Sequence, residues 1–325
     1  MTDFAAELAG LTGEFSGVIS ACAGADVLFE QAYGLADRAH QLPCTVQTRF
    51  AIASGSKTFT ALTIVSLVAD GALSLSTTAR SVLGSDLPLI ADDVTLEQLL
   101  NHTSGIGDYA DEDLDEPLPL KVPVYKLVDT EDYLPALDGF PSKFPAGSRF
   151  CYCNGGYVLL ALIAERVSGH AFHELVHERV LRLAGMTHTE FLRSDELPGD
   201  AALGYLADGR TNVFALPVRG NGDGGSYTTL ADIHRFWAAL FAGQLVASEW
   251  VDRMTSPQSG GPPWDPMHYG YGFWLDGPAV ELHGGDHGVR FRSAYDRTSS
   301  TCCTVIANVE TPINPIVNRL RELTG

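Results

Sequence analysis

The chain has 325 residues, 45% of them hydrophobic and 19% charged, with a formal net charge of −19 and a pI of about 4.7. That length can bury a large core in one domain or two lobes, and the composition is that expected of a soluble globular protein rather than a disordered one. There is no basic run and no apolar stretch of the ~18–20 residues a membrane span needs, so nucleic acid and membrane are not expected as partners.

The first eight residues, Met1 to Leu8, carry neither a basic nor a long apolar region. No signal peptide is therefore expected, and the chain reads as cytoplasmic. The cysteines are Cys22, Cys44, Cys151, Cys153, Cys302 and Cys303. One adjacent pair and one Cys-x-Cys do not form a secreted disulfide framework, so reduced thiols are expected.

Residues 3–13 read as an amphipathic helix ending near Gly13, and residues 18–23 and 27–34 as a β-hairpin about Gly24-Ala25-Asp26. Then comes Phe50-Ala51-Ile52-Ala53-Ser54-Gly55-Ser56-Lys57, opening an apolar-periodic run that predicts a helix over 57–71 with Gly71 as its stop. Residues three apart share a helix face, so Ser54 and Lys57 point the same way from the first turn. Unsatisfied N–H groups there favour developing negative charge. A hydroxyl needs a base to become a nucleophile, and a desolvated lysine can be that base.

A short helix is predicted over 95–100. Residues 108–149 are a turn-rich excursion that starts acidic, with Asp108, Asp111, Glu112, Asp113, Asp115 and Glu116, then Pro117, Pro119 and Pro123. The excursion reads either as a substrate-shaping lid with a short helix near 130–138 or as a solvated loop. Helices follow over 156–169, 170–184 and 232–241, with Asp232 opening the last. Strands are expected at 271–275, 280–283, 291–295 and 301–309, and a final helix at 313–323. The predicted fold is α+β: an antiparallel sheet built from both termini and flanked by helices, with a mostly helical insertion. The α/β lobe takes 1–75 and 215–325, and the insertion 76–214.

Of four lysines, Lys57 alone has a serine three positions earlier. Of eleven tyrosines, Tyr152 alone is followed two residues later by Asn, in Phe144-Pro145-Ala146-Gly147-Ser148-Arg149-Phe150-Cys151-Tyr152-Cys153-Asn154. The third piece is Glu281-Leu282-His283-Gly284-Gly285-Asp286, at the end of a predicted strand, where paired glycines let a substrate lie along the backbone.

These pieces in this order resemble the serine β-lactamase and penicillin-binding-protein superfamily, and most nearly its class C branch with esterases and D-specific peptidases. Leu99-Leu100-Asn101-His102-Thr103-Ser104-Gly105 is similar to the family's L-L-x-H-T-S-G segment. Leu183-Ala184-Gly185-Met186-Thr187-His188-Thr189 is similar to P-L-G-M-x-x-T. Gly224-Gly225-Ser226-Tyr227-Thr228-Thr229-Leu230-Ala231-Asp232 is similar to G-G-x-x-S-T-x-x-D. The resemblance covers nearly the whole chain. It implies Ser54 as nucleophile, Lys57 and Tyr152 sharing the general base, and Asn154 on the substrate's acyl amide. It further implies that His283, Gly284 and Gly285 line the substrate strand, and that the N–H groups of Ser54 and Asp286 form the oxyanion hole. Tyrosine and lysine have reference pKa values near 10 and 10.4, a matched pair for passing one proton.

At the third segment the family's β-lactamases and D-Ala-D-Ala peptidases show Lys-Thr-Gly, where this chain has His283-Gly284-Gly285. A neutral histidine holds a substrate carboxylate less well. The resemblance therefore implies an acyl-enzyme serine hydrolase of small carboxylic esters or amides, possibly beside a D-residue. The alternatives are a β-lactamase or D-Ala-D-Ala carboxypeptidase, and a non-catalytic acyl-binding protein. No cofactor and no metal are expected, the partner is a small-molecule substrate, and oligomeric state cannot be read.

Rival motifs carry less. His173-Glu174-Leu175-Val176-His177 matches the H-E-x-x-H zinc helix but lacks a following third ligand, so it is read as packing. Cys151 and Cys153 are read as packing around Tyr152, Cys302-Cys303 as buried thiols, and His102 as a hydrogen-bonded core histidine. No G-x-S-x-G and no phosphate-binding glycine loop occur.

Overall fold

The structure, a computed structural model, describes residues 3–114, 120–262 and 266–324. The part of the acidic excursion at 115–119 lies outside them. Eight strands form one antiparallel sheet: β1 Gly17–Ala23, β2 Asp26–Tyr33, β3 Ser259–Gly260, β4 His268–Tyr269, β5 Trp274–Asp276, β6 Ala279–Asp286, β7 Val289–Asp296 and β8 Thr301–Ala307. Their order is β2-β1-β8-β7-β6-β5-β4-β3. The two ends of the chain meet where β1 pairs with β8, from Gly17 opposite Ala307 to Ala23 opposite Thr301.

Side chains alternate between the faces of a strand. Ile19, Ala21, Cys303 and Val305 face one side, covered by helices α1 (Phe4–Leu8) and α5 (Asn314–Thr324). Val18, Cys22, Leu282 and Ile306 face the other, against the main core. At the centre of that core runs helix α2 (Lys57–Ala69), in which every residue from Lys57 to Leu67 is buried. Its buried hydroxyls are satisfied inside the core, Thr60 by Gly222 O and Thr63 by Phe59 O, so the helix can be surrounded on all sides. Helix α3 (Asn154–Ser168) is buried from Asn154 to Ala164, and α4 (Leu230–Phe241) packs Phe236 edge-on against Phe59. Truncating a buried aromatic such as Phe59 to alanine costs roughly 3–5 kcal/mol.

The departures from the sequence reading have local causes. The N-terminal helix stops at Leu8, short of 13, since Gly10 and Gly13 cost helix about 1 kcal/mol each. The helix expected over 170–184 is interrupted: Phe172–Val176 is α, His177–Leu181 a π turn and Arg182–Ala184 α again. Strand β5 begins at Trp274 rather than at residue 271, after Gly272 at φ 80. Strands β3 and β4, of two residues each, are too short to show a period. Asp232 does not cap α4. Thr229 does, accepting from Asp232 N–H at 3.2 Å. Asp232 is instead fully buried, its carboxylate accepting from His188 N–H, Thr189 Oγ1 and Arg235.

Candidate active site

Ser54 lies in a 3₁₀ turn, Ala53–Ser56, that runs directly into α2. The sequence reading put it in the first α turn. In a 3₁₀ turn residues three apart eclipse one another, so the pairing with Lys57 is tighter than an α turn gives. Ala53 is held at φ 45, a conformation that turns the chain sharply just before the serine. Ser56 ties the turn down, donating to Ala53 O at 2.8 Å and meeting Ser226 Oγ at 2.7 Å.

Lys57 is 1% exposed. Its Nζ donates to Ser54 Oγ at 3.0 Å, Asn154 Oδ1 at 2.7 Å and Asp223 O at 2.6 Å. An ammonium has three protons, and each has an acceptor here. That satisfaction is what makes burial of the cation tolerable.

Tyr152 stands beside the same site, and Ser54 draws its pKa down. Its ring lies 4.9 Å from Lys57 Nζ. Against that pull, burial pushes the phenol well above its ordinary range, and the Glu112 carboxylate pushes it further. The ring is held by neighbours on both sides, with Trp274 stacked at 5.9 Å and His102 at 4.4 Å between centroids. His102 is 1% exposed, and its Nδ1 accepts from Cys153 N–H at 3.1 Å. Burial, then the Lys57 charge, hold the imidazole neutral, well below its usual pKa. Its Nε2 is unpartnered among the described residues.

Asn154 opens α3, and here the excursion matters. The buried Asp108 carboxylate accepts from Asn154 N–H at 2.5 Å and Gly155 N–H at 2.8 Å, and also binds Ala110 N–H at 3.1 Å. A carboxylate at a helix N-terminus offsets the dipole and fills orphan donors. Cys153, just before Asn154, accepts from Gly156 N–H through sulfur at 3.3 Å. The Asn154 amide is occupied at both ends: Oδ1 by Lys57, Nδ2 by Ala110 O at 2.9 Å and Glu112 Oε1 at 3.1 Å. Asp111 and Asp113 flank Glu112 and are both bound by Lys143, at 2.8 Å each. Tyr109 donates to Asp223 Oδ2 at 2.5 Å.

Strand β6 passes against the Ser54 turn. A Cβ on Gly284 would lie 2.0 Å from Ile52 O, so no larger residue fits there, whereas one on Gly285 would meet open space. Glu281 and His283 share a face of β6, and Arg292 stands opposite His283 on β7. Glu281 is fully buried. Its Oε2 accepts from His283 Nε2 and Arg292 Nε at 2.6 Å each, and its Oε1 from Arg321 of α5 at 3.0 Å. Burial alone would raise this carboxyl, but the His283 and Arg292 bonds and charges outweigh it and bring it to about 2. Trp274 stacks on His283 at 5.6 Å as it does on Tyr152.

Two hollows meet at Ser54. One, of about 560 Å³, is lined by Asn154, Gly285 and the carboxylate residues Asp111, Glu112, Asp223 and Asp286, with no lysine or arginine among its described lining. The other, of about 690 Å³, is lined by Tyr152, Trp274, His283, Arg149, Arg290 and Arg292. The structure thus groups Ser54, Lys57 and Asn154 by hydrogen bonds, with Tyr152 beside them, and sets His283, Gly284, Gly285 and Asp286 along the cleft. Sequence reasoning missed Asp108, Asp223, Lys143, Trp274 and Glu281. For Glu281 a signal existed: it sits two residues before His283, on the same strand face.

The zinc-like motif is dispersed. His173 Nε2 donates to Gly220 O at 2.8 Å, while His177 is exposed beside Glu178. Among the described residues no group of three or more His, Cys, Asp or Glu could hold a metal, and no helix is long and apolar enough to cross a membrane.

The sequence matches the Beta-lactamase family over residues 5–323. A penicillin-binding protein of Bacillus subtilis (strain 168) is 29% identical over 296 residues, covering 83% of this chain and 61% of that protein. A D-aminopeptidase of Cereibacter sphaeroides (strain ATCC 17023) is 27% identical over 302 residues, covering 87% of this chain and 55% of that protein. The chain thus spans little more than half the length of these two relatives. The crystal structure of a penicillin binding protein from Bacillus halodurans superposes with a TM-score of 0.91 at 35% identity, covering 98% of this chain and 99% of that one.

Proposed function

Given that the chain belongs to the Beta-lactamase family and has its fold, we propose that it is a serine hydrolase acting through an acyl-enzyme on Ser54. The observation that carries this is the cluster at the hydroxyl: Lys57 Nζ stands 3.0 Å from Ser54 Oγ and 4.9 Å from the Tyr152 ring, and Ser54 draws the Tyr152 pKa down. In the acting form Tyr152 is the phenolate beside the Lys57 charge, which offsets the phenol's reluctance to ionise, and as Ser54 attacks a carbonyl its proton passes to the Tyr152 oxygen. The backbone N–H groups of Ser54 and Asp286 receive the oxyanion, a contribution of about 3–4 kcal/mol for such a donor. The proton then goes to the leaving group. Water reverses the sequence and frees the acyl part.

The substrate reading is a small carboxylic ester or amide. His283 stands where lactam-cleaving members carry lysine, and it is engaged by Glu281. The acyl part faces the hollow that holds Asn154, and the leaving group faces the one that holds His283. The acyl hollow is acidic. Lys143 bridges Asp111 and Asp113 and offsets one of their two charges, which leaves Glu112 among the carboxylates there that can meet an incoming cation. An acyl group with a free ammonium suits it, in keeping with the D-aminopeptidase relative.

The test is a panel of p-nitrophenyl acetate, D- and L-alanyl p-nitroanilide and nitrocefin, with Ser54→Ala as control. We expect ester or aminoacyl turnover above nitrocefin turnover, and its loss in Ser54→Ala. Wild-type turnover by a clean Ser54→Ala preparation contradicts the mechanism, and nitrocefin as the dominant substrate returns the chain to the β-lactamase reading.

A further inference from the structure

Three arginines and a histidine line the leaving-group hollow, together with the carboxylate residues Glu112, Asp113 and Glu310. Each of the four basic side chains is already engaged. Arg292 gives Nε to Glu281 and an η nitrogen to Asn314 Oδ1 at 3.3 Å. Arg290 gives Nη1 to the carbonyls of Asp286 and Val289 at 2.7 Å each. Arg149 is exposed and lies over the Phe144 ring at 4.2 Å. His283 gives Nε2 to Glu281.

Glu281 is the group these arrangements share. It lies beneath the cleft, between the sheet and α5, with no exposed surface. Its partners come from three elements: His283 on β6, Arg292 on β7 and Arg321 on α5. Arg321 also binds Asp276 Oδ2 at 2.8 Å. Two carboxylates, Glu281 and Asp276, therefore stand against two guanidinium groups, Arg292 and Arg321. The set is balanced without any charge on His283. A buried charge must be paired, and here the pairing consumes the charge of Arg292, which faces the substrate, and engages His283.

We propose that Glu281 is a specificity-setting positioning residue: a buried counter-charge that keeps the leaving-group half of the cleft from capturing a carboxylate. It acts through Arg292 and His283, holding both toward itself. Discrimination against an unwanted substrate needs such a device as much as attraction toward the right one. The chain has thus both lost the lysine of the lactam-cleaving pattern and cancelled the arginine that could replace it. The inference rests on the assignment of Ser54 as nucleophile and of the His283 hollow to the leaving group.

The experiment compares phenyl acetate with 3-carboxyphenyl acetate, which share an acyl group and differ by a carboxylate on the leaving group. The readout is the ratio of their kcat/KM values. In Glu281→Gln the balance tips to one net positive charge, and we expect the ratio to rise about fivefold or more in favour of the carboxylate ester. A loosened fold lowers both activities and does not raise that ratio. Arg292→Gln keeps Glu281 paired with His283 and Arg321 and serves as a second variant should Glu281→Gln not fold. The set then carries one net negative charge, so the ratio should fall about twofold or more. An unchanged or lowered ratio in Glu281→Gln, or an unchanged or raised ratio in Arg292→Gln, overturns the proposal. Failure of the underlying reading looks different: neither ester is then hydrolysed in a Ser54-dependent manner.

Discussion

The two halves of the cleft handle charge in opposite ways. On the acyl side, Lys143 bridges Asp111 and Asp113 and offsets one of their two charges, while Glu112 reaches the Asn154 amide and keeps its charge in the open. On the leaving-group side, arginines and carboxylates share the wall, and a carboxylate buried behind it holds Arg292 and His283. One half presents a charge at the surface and the other cancels it from beneath. Selectivity in this cleft is therefore a matter of which charges have been left unpaired, and a count of lining residues does not show it.

The largest expected effect is common to both halves. Lys57→Ala removes the group that joins Ser54, Asn154 and Asp223, and should lower kcat by at least about 100-fold for every substrate, whichever half it fills. Steady-state kinetics on p-nitrophenyl acetate and alanyl p-nitroanilide checks this, and a loss confined to one of them breaks the picture of a shared centre.

Glu112 lines both hollows, and Glu112→Gln tests which half reads its charge. We expect kcat/KM for alanyl p-nitroanilide to fall about tenfold or more, and that for p-nitrophenyl acetate to change less than about twofold. Equal losses would make Glu112 a general support of Asn154 rather than a reader of the acyl group.

Asp108→Asn should act between these extremes. It leaves α3 without its carboxylate cap and Asn154 less firmly held, so stability drops by roughly 1–2 kcal/mol and both substrates lose activity together. Thermal unfolding measured beside kinetics checks the pairing of the two losses.

The leaving-group half also makes a prediction in pH. Glu281 titrates at about 2 in the folded chain, against an ordinary value of 4.5. A carboxyl depressed by folding contributes stability that is fully present above the unfolded value and is lost as pH falls through the folded one. The wild type's margin over Glu281→Gln should therefore be on the order of 3 kcal/mol above pH 5 and shrink between about 4.5 and 2. Denaturant unfolding at several pH values measures it, and a margin independent of pH over that window contradicts the assignment.

At the small end, His177→Ala and added chelator should leave turnover unchanged within about twofold, since His173 and His177 point to different partners.

How much of this the sequence showed depended on whether the signal was local. Ser54 with Lys57, the hairpin of β1 and β2, and the long apolar runs of α2 and α3 are set by neighbours within a few residues. Periodicity carried them. The sheet order follows from the apolar strands at both ends of the chain. By contrast, Asp108 acts across 46 residues on Asn154, and Glu281 across 40 on Arg321. Nothing in the spacing of those residues marks their partners. Asp232 shows the same limit. Its place at a helix start suggested a cap, while its contacts to His188 and Thr189 come from a distant segment that outweighs the local preference. His283 shows what was lost: the substitution for lysine was legible, but the buried carboxylate that governs it was not.

The central claim, an acyl-enzyme on Ser54, is tested most directly by mass spectrometry of protein quenched during turnover of p-nitrophenyl acetate. The account predicts one acetyl group per chain, on the peptide containing Ser54, absent from Ser54→Ala and accumulating when deacylation is slow. Turnover with no adduct under any quench, or an acetyl group on another residue that forms and decays at the rate of turnover, would contradict it.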